Sequence, residues 1–526
     1  MELAENLITR VNVGDCLTRS AAARPAQPAV VDGDRSWTYA EFNTLVNRLA
    51  HGLAERGYQV GDALALASGN SAEFLAVYYA CAKLGVVCVP INLGWRTDEV
   101  VYVLDHAQVR GIVVESQLVD VLREAVGKVA AVADVIVAPG TGADYQAEPA
   151  DRNWSTIAAV LAADTSEPER LVEDRAALSY LYTSGTTSFP KGVVGSHLAI
   201  HLESMSVALD SGWGRDDRFV AMMPMFHTAQ LNAFCTPAIV VGATIHIRRG
   251  FDAEALLDTI EAESITQIFA LPMMYREMVE HPTFGARDLS SLRRCVYAMA
   301  PMPDALIRAC IEGFGCDFAL MFGQTEMSPC TTLFRPEHQL THTGAVGSSI
   351  SGVQIAIMSP DGEFLPDGEQ GEIVYRGPST MSGYLRNPEA TEAAFAHGWF
   401  HSGDVGHFDG DGVLWFADRY KDVIKTGGEN VASIEVEKAI YAADERVGEV
   451  VVIGLPHPRW SEAITAVLVP KPGASVEPDE LRTALRPLLD GYKLPKSVIV
   501  LDELPRTSTG KIQKNVLRDR YSEHYG

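Results

Sequence analysis

Short apolar runs alternate with amphipathic stretches through the first third of the chain, and that alternation constrains the fold more than any other feature. Val30-Val31 leads into the turn Asp32-Gly33-Asp34. Thr38 and Glu41 have the spacing of a helix-opening capping box. Leu45, Leu49 and Leu53 then recur every four residues until Gly57, which predicts an amphipathic helix with a glycine stop. Asp62–Ala67 reads as a strand, Ser71–Leu84 as a helix and Val86–Pro90 as a strand; Gly111–Val114 and Val135–Val137 are further short apolar runs. Strands alternating with helices predict a parallel α/β sheet. Thr141–Trp154 is polar, acidic and interrupted by Pro149, and reads as a surface connection. Phe74–Leu93 is strongly apolar, but Lys83 and Gly85 split it. A buried helix followed by a buried strand explains it better than a membrane span.

A chain of 526 residues predicts more than one domain. The net charge of −25 argues against nucleic acid as a partner, because phosphate contacts need clustered Lys and Arg. ATP or coenzyme A needs only a few local cations. The eight cysteines form no C-x-x-C pair, so metal spacing is absent, and they read as reduced, packed thiols of a cytoplasmic protein. The stretch Met1–Asn6 has no basic region before a long apolar run, so no signal peptide is expected.

The strand-like Ala177–Leu181 runs into Tyr182-Thr183-Ser184-Gly185-Thr186-Thr187-Ser188-Phe189-Pro190-Lys191-Gly192. Such a loop can turn backbone N–H groups and hydroxyls toward a phosphate. It is not a Walker loop, because Pro190 and Gly192 flank Lys191 where that motif needs Gly and Ser or Thr. Composition alone would favour an ordinary Ser/Thr/Gly-rich surface loop with a solvated lysine, because such loops are common.

Residue identity carries it further. Thr183–Thr187 with Pro190-Lys191-Gly192 resembles the phosphate loop of the adenylate-forming enzymes, which include acyl-CoA synthetases, peptide-synthetase adenylation domains and beetle luciferases. Ser188 stands where that family usually has glycine. Phe322-Gly323-Gln324-Thr325-Glu326 resembles the family's aromatic-Gly-x-Thr-Glu motif. The resemblance implies Phe322, Gly323 and Gln324 at the adenine, Thr325 near the α-phosphate as a catalytic residue, and Glu326 as a Mg²⁺ ligand. Val296–Pro303 resembles the loop beneath the adenine, with Ala300 in it. Met299 there brings bulk to the acyl pocket or fills a gap in the core. Pro224-Met225-Phe226-His227-Thr228 resembles the segment bordering the carboxylate pocket. His227 falls where amino-acid-activating relatives place Asp, which disfavours an amino-acid substrate.

Further along, the resemblance implies that Asp404 accepts hydrogen bonds from the ribose, that Arg419 binds it too, and that Lys421 is the pivot of a hinge. Lys425, Gly427 and Gly428 would meet the pantetheine arm of coenzyme A. Val431-Ala432-Ser433 departs from the family's usual aromatic-Pro. After it, Val450–Leu455, Ala463–Val469 and Ser497–Leu501 read as strands and Asp479–Leu489 as a helix. Lys511, in Pro505-Arg506-Thr507-Ser508-Thr509-Gly510-Lys511, would be the catalytic lysine of adenylation.

The implied architecture is α/β: a large multi-layer N-terminal domain over 1–420 and a small mobile C-terminal α/β domain over 421–526. The motif wording is closest to medium- and long-chain fatty acyl-CoA synthetases. The implied activity is formation of acyl-AMP and pyrophosphate from an acid and ATP, then acyl transfer to coenzyme A, with a hydrophobic substrate. Three alternatives stand beside it: a CoA ligase for a specialised bulky acid, an acyl-AMP ligase that loads a carrier protein, and a non-catalytic nucleotide-binding relative. Retention of Lys191, Glu326, Asp404, Arg419 and Lys511 counts against the last. The expected partners are a small carboxylic acid, ATP and coenzyme A, with no nucleic acid and no stable membrane insertion; a homodimer is compatible with the sequence.

Overall fold

The computed structural model of the chain describes residues 2–141, 154–183, 190–299, 302–506 and 512–525. The capping box at Thr38 closes in both directions. The Thr38 backbone N–H donates to Glu41 Oε2 at 2.9 Å, and the Glu41 N–H donates to Thr38 Oγ1 at 3.2 Å. The helix that follows spans Tyr39–Glu55 and buries Leu49 and Leu53. Ser71 caps a second helix, Ala72–Leu84, by accepting the Phe74 N–H at 3.0 Å, and Gly85 ends it at φ +71°. Every residue of that helix except Glu73 is buried. Its Lys83 ammonium donates to Asn43 Oδ1, Asn47 Oδ1 and Glu167 Oε2, each at 2.6 Å, so all three N–H donors are satisfied in the interior. The apolar stretch from Phe74 is therefore an internal helix followed by the strand Val87–Pro90. Among the described residues no helix is long and apolar enough to cross a membrane.

The chain forms two units: Met1–Gln354 with Arg376–Phe400, and Ile355–Tyr375 with His401–Gly526. Among the described residues the first unit holds two large sheets. One has the strand order 154–156, 134–138, 109–115, 63–67, 87–90, 177–183, 191–196. All its pairings are parallel except the last, an antiparallel hairpin. The other has the order 348–349, 330–334, 317–323, 294–297, 267–270, 218–221, 244–247, 28–32, 35–38, with a parallel centre and antiparallel edges. The expected parallel α/β architecture is present, and the strand ends carry the segments of interest.

In the second unit Val447–His457 and Ser461–Pro470 form a long antiparallel hairpin; the second of these strands is central to the sheet, with Ser497–Val500 parallel beside it, and the first is an edge. Val450, Val452, Ile464, Ala466 and Leu468 face the helices Ser433–Ala443 and Pro478–Leu485. Val451, Ile453, Leu455 and Val467 face the opposite way, onto Leu504 and Leu517. That is the period-two alternation of a sheet covered on both faces. The second helix ends at Leu485, four residues before the predicted Leu489.

The division by packing differs from the boundary expected at 420/421. The strand Leu414–Arg419 belongs with the C-terminal residues because Asp418 bridges the two sides of that point. Its Oδ2 accepts the Ser433 N–H at 2.6 Å, and its Oδ1 accepts the Arg419 N–H at 2.8 Å.

Candidate active site

The hydroxyl-rich loop is carried by a hairpin. Ala177–Thr183 and Lys191–Ser196 pair antiparallel with Thr183 opposite Lys191, so both ends of the loop are fixed by the sheet. Ser184, Gly185, Thr186, Thr187 and Ser188 lie outside the described residues. Tyr182, one residue before the end of its strand, makes a 2.8 Å hydrogen bond with His106 Nδ1 and packs edge-on against Trp95 at 6.4 Å. Burial pushes the Tyr182 hydroxyl well above its ordinary pKa, so it stays protonated.

Lys191 begins the second strand, and its Nζ lies 4.8 Å from the ring centroid of Tyr384. The Tyr384 hydroxyl donates to Glu326 Oε1 at 2.9 Å. Burial, reinforced by the Glu326 charge, raises the Tyr384 pKa and keeps the hydroxyl a donor. Backbone bonds hold these elements together: Met381 N–H to Glu326 O at 2.7 Å, Ser382 N–H to Val194 O at 2.9 Å and Leu385 N–H to Gly192 O at 2.7 Å. The structure thus brings Lys191 and Glu326, far apart in sequence, onto one tyrosine, the first over its ring and the second at its hydroxyl. Tyr384 lies in none of the motifs that the sequence offers. An aromatic in a turn carries no signal by itself.

Phe322 and Gly323 end the strand Asp317–Gly323, which pairs antiparallel with Cys330–Phe334. Gly323 has φ +156°, and a Cβ added there would lie 2.0 Å from the Pro329 carbonyl oxygen, so only glycine fits. The Gln324 N–H donates to the same oxygen at 2.9 Å, and Thr331 Oγ1 donates to Phe322 O at 3.1 Å. Thr325–Met327 then form a 3₁₀ turn that presents Glu326. Met299 follows the strand Arg294–Tyr297 and is 45% exposed at φ +72°, so it is not a filler of the core. Ala300 lies outside the described residues.

His227 caps the short turn Thr228–Gln230, its Nδ1 accepting the Ala229 N–H at 3.3 Å. An Nδ1 that accepts leaves Nε2 to carry the proton of the neutral ring. Asn70 fixes the approach to His227: its Nδ2 donates to Met223 O and its Oδ1 accepts from Met225 N–H, both at 2.9 Å. A π-helical turn, Leu231–Cys235, follows directly. Such turns are rare and occur disproportionately at functional sites. Neither Asn70 nor the π turn has a sequence signature.

In the second unit Asp404 and Arg419 face each other across antiparallel strands, with Arg419 Nε 3.0 Å from Asp404 Oδ1. Asp404 is buried at 3% exposure. Lys421 stands exposed in the turn after that strand. Its neighbour Asp422 is bound by Arg518 at 2.7 Å. Lys425 lies in the strand Ile424–Thr426, its N–H donating to Glu462 Oε2 at 2.7 Å. Gly427 and Gly428 form the two-residue turn to Glu429–Val431, at φ +63° and +92°, the sign that such hairpin turns require. Lys511 lies outside the described residues.

Residues 17–385 match the AMP-binding enzyme family, and residues 435–511 match the C-terminal domain of AMP-binding enzymes. The chain belongs to the AMP-binding enzyme family, the adenylate-forming class whose motifs its strand ends carry. It is 36% identical over 512 residues to the feruloyl-CoA synthase of Amycolatopsis sp, covering 97% of this chain and 99% of that one. It is 35% identical over 516 residues to the long-chain-fatty-acid–CoA ligase FadD13 of Mycobacterium tuberculosis, covering 97% and 99%. Among solved structures, ATP-bound MatB from Rhodopseudomonas palustris matches with a TM-score of 0.89 at 28% identity, over 98% of this chain and 100% of that one. The matches include relatives named as CoA ligases and a fatty acid–[acyl-carrier-protein] ligase of Streptomyces coeruleorubidus, 33% identical over 95% of this chain, and the chain is an enzyme of the acyl/aryl-CoA ligase family with ATP-dependent adenylation.

Proposed function

We propose that the chain joins a hydrophobic carboxylic acid to coenzyme A through an acyl-adenylate. The observation that carries this reading is the Lys191–Tyr384–Glu326 linkage beside the hydroxyl-rich hairpin. One cation and one carboxylate on the same tyrosine support a reading in which Lys191 would meet the triphosphate and Glu326 its counter-ion.

A carboxylate is a poor acyl donor because oxide is a poor leaving group. In the first step a carboxylate oxygen attacks the α-phosphorus of ATP, and pyrophosphate departs. An in-line displacement at phosphorus needs positioning and charge neutralisation more than a protein nucleophile. Lys191 and the hydroxyls from Thr183 to Thr187 would neutralise and orient the phosphates. Thr325 would bond the α-phosphate, Phe322 would stack on the adenine, and Asp404, oriented by Arg419, would accept from the ribose hydroxyls. Lys511 would bridge the attacking carboxylate and the α-phosphate. In the second step the thiol sulfur of coenzyme A attacks the acyl carbonyl and AMP leaves.

Among the described residues no cluster of three metal-ligating side chains exists. Glu326 would hold a magnesium ion together with phosphate oxygens and water, the usual magnesium arrangement. Tyr384 occupies Glu326 Oε1 and leaves Oε2 for the ion. Bound there, magnesium would neutralise charge on the phosphates.

The two steps need different surroundings at the acyl carbon. Rotation about Lys421 would withdraw Lys511 and present Lys425, Gly427 and Gly428 to the pantetheine arm, a hinge movement of established kind. An acidic chain with free thiols and these substrates fits the cytoplasm. The feruloyl-CoA synthase and the long-chain-fatty-acid–CoA ligase are 36% and 35% identical to this chain, so overall identity leaves the acid open within the hydrophobic class.

The test is pyrophosphate release from ATP with a panel of aliphatic and aromatic acids, with and without coenzyme A. Acyl-CoA and AMP formation with at least one hydrophobic acid is expected. Adenylation without coenzyme A turnover would favour a carrier-protein ligase instead. No pyrophosphate with any acid would remove the reading.

A further inference from the structure

Glu203 is a buried carboxyl that the reading above does not use. It lies on the helix His197–Asp210, which packs against both the turn Leu231–Cys235 and the strand Cys330–Phe334. Its exposure is 0%. Glutamate is almost never buried so fully unless it is paired. Here Oε1 accepts a long bond from the Cys330 N–H at 3.4 Å, the Ser204 hydroxyl also acts on the carboxyl, and Oε2 has no hydrogen-bond partner.

The neighbours of Glu203 place it. Cys330 pairs with Gly323, the strand end assigned to the adenine wall. Ser204, next in the chain, donates to Asn232 O at 3.4 Å. Asn232 in turn donates to Thr228 Oγ1 at 3.0 Å and accepts from the Tyr78 hydroxyl at 3.2 Å. Thr228 follows His227. Glu203 therefore sits between the two segments assigned to the acid and to the adenine, inside a buried polar cluster. Ser204, Asn232, Thr228 and Tyr78 all have partners within that cluster, and Glu203 Oε2 does not.

Burial pushes the Glu203 carboxyl well above the ordinary carboxylate range, and the Cys330 N–H and Ser204 hydroxyl only partly oppose this. A neutral carboxyl offers one donor and a remaining acceptor, which matches an uncharged hydroxyl. Packing alone would be better served by an apolar side chain, because a partly satisfied polar group in a core is costly.

We propose that Glu203 is a specificity-determining residue whose unpartnered oxygen hydrogen-bonds a hydroxyl group on the acid. The preferred substrate is then a hydroxylated hydrophobic acid rather than a plain hydrocarbon one. This rests on the acyl-adenylate reading and deepens it.

The experiment compares matched acids, 4-hydroxycinnamate with cinnamate and 8-hydroxyoctanoate with octanoate. Pyrophosphate release is followed in the parent, Glu203→Gln and Glu203→Met, each checked for folding by thermal melting. The parent should favour the hydroxylated member of at least one pair by roughly tenfold or more in kcat/KM, since a site built for a hydroxyl rejects the analogue that lacks it. Glu203→Gln, which keeps a donor and an acceptor, should retain most of that preference. Glu203→Met should abolish or reverse it. A parent that treats both members of each pair alike overturns the proposal, as does a folded Glu203→Met that loses activity equally on both. Should Glu203→Met not fold, the parent's own ratio decides. A flat ratio with robust pyrophosphate release removes only the role of Glu203. No release with any acid removes the acyl-adenylate reading and this proposal with it.

Discussion

The Lys191 ammonium stands over the face of Tyr384, 4.8 Å from its ring centroid, while the hydroxyl at the other end of that ring donates to Glu326. The ring offers negative density to the cation and its hydroxyl offers a proton to the anion, so one side chain orients both charges. A cation over a tyrosine face is worth about 0.5–2 kcal/mol, depending on desolvation.

Tyr384→Phe separates the two roles. The ring remains under Lys191, but Glu326 loses its hydrogen bond. Loss of a partner that orients a metal ligand typically costs about 10–100-fold in metal affinity or activity. The magnesium concentration for half-maximal pyrophosphate release should therefore rise by about tenfold or more. Tyr384→Leu, which removes the ring as well, should lower kcat further. Identical magnesium curves for parent and Tyr384→Phe would detach Tyr384 from the site.

The two half-reactions should respond to different residues. Lys511→Ala is expected to lower adenylation by about 10²–10³, the usual cost of one charge contact in such a transition state. It should spare thioesterification of acyl-AMP supplied directly. Lys421→Pro should do the reverse, because proline fixes φ near −65° and removes the torsional freedom of a pivot. Equal loss of both half-reactions in either variant would count against a two-position cycle.

Much of the fold was legible because it rests on local rules. The Thr38 capping box, the apolar period of its helix and the strand at 63–67 are set by neighbours within a few residues. The hairpin that carries the hydroxyl-rich segment was half legible: Ala177–Leu181 reads as a strand, but Lys191–Ser196 pairs only because of its position beside it. What the sequence does not carry is contact at a distance. Nothing near Tyr384 announces Lys191 or Glu326, and nothing near Glu203 announces Cys330. The strands Thr244–Ile247 and Gln267–Ala270 were also missed, being four-residue runs whose burial comes from the sheet around them.

Two buried histidines give the stability an acid limb. Burial, with Arg10 adding to it, holds the His197 pKa down to about 3. Burial and Arg218 hold His246 down to about 4, against the opposing pull of Glu263. Both lie below the unfolded value of 6.5, so the unfolded chain binds protons that the folded chain refuses. Their contribution is complete above pH 6.5 and is lost as pH falls from there toward about 4 for His246 and about 3 for His197, at about 1.4 kcal/mol per pH unit for each group. His197→Asn can keep an acceptor for the Val13 N–H, which His197 Nδ1 now accepts at 3.2 Å. It should flatten the dependence of unfolding free energy on pH between 6 and 4 by about one proton. An unchanged slope would show that His197 already titrates normally when folded.

Met299 offers a test in which stability and selectivity point the same way. A methionine packed in a core would lose about 2–5 kcal/mol on truncation. Met299 is 45% exposed and sits at φ +72°, where a side chain costs about 1–2 kcal/mol that glycine avoids. The greater freedom of glycine in the unfolded chain offsets about 0.5–1 kcal/mol of that gain. Met299→Gly should therefore stay within about 1 kcal/mol of the parent in unfolding free energy. If the side chain also bounds the acyl site, its removal should raise kcat/KM for a bulky acid relative to a slim one. One or two methylenes of pocket wall are worth about 1–3 kcal/mol, so the ratio should shift by roughly tenfold to two-hundredfold at most. A stable variant with an unchanged ratio would leave Met299 outside the pocket. A variant that loses several kcal/mol would mean that the chain holds this methionine against its core in solution.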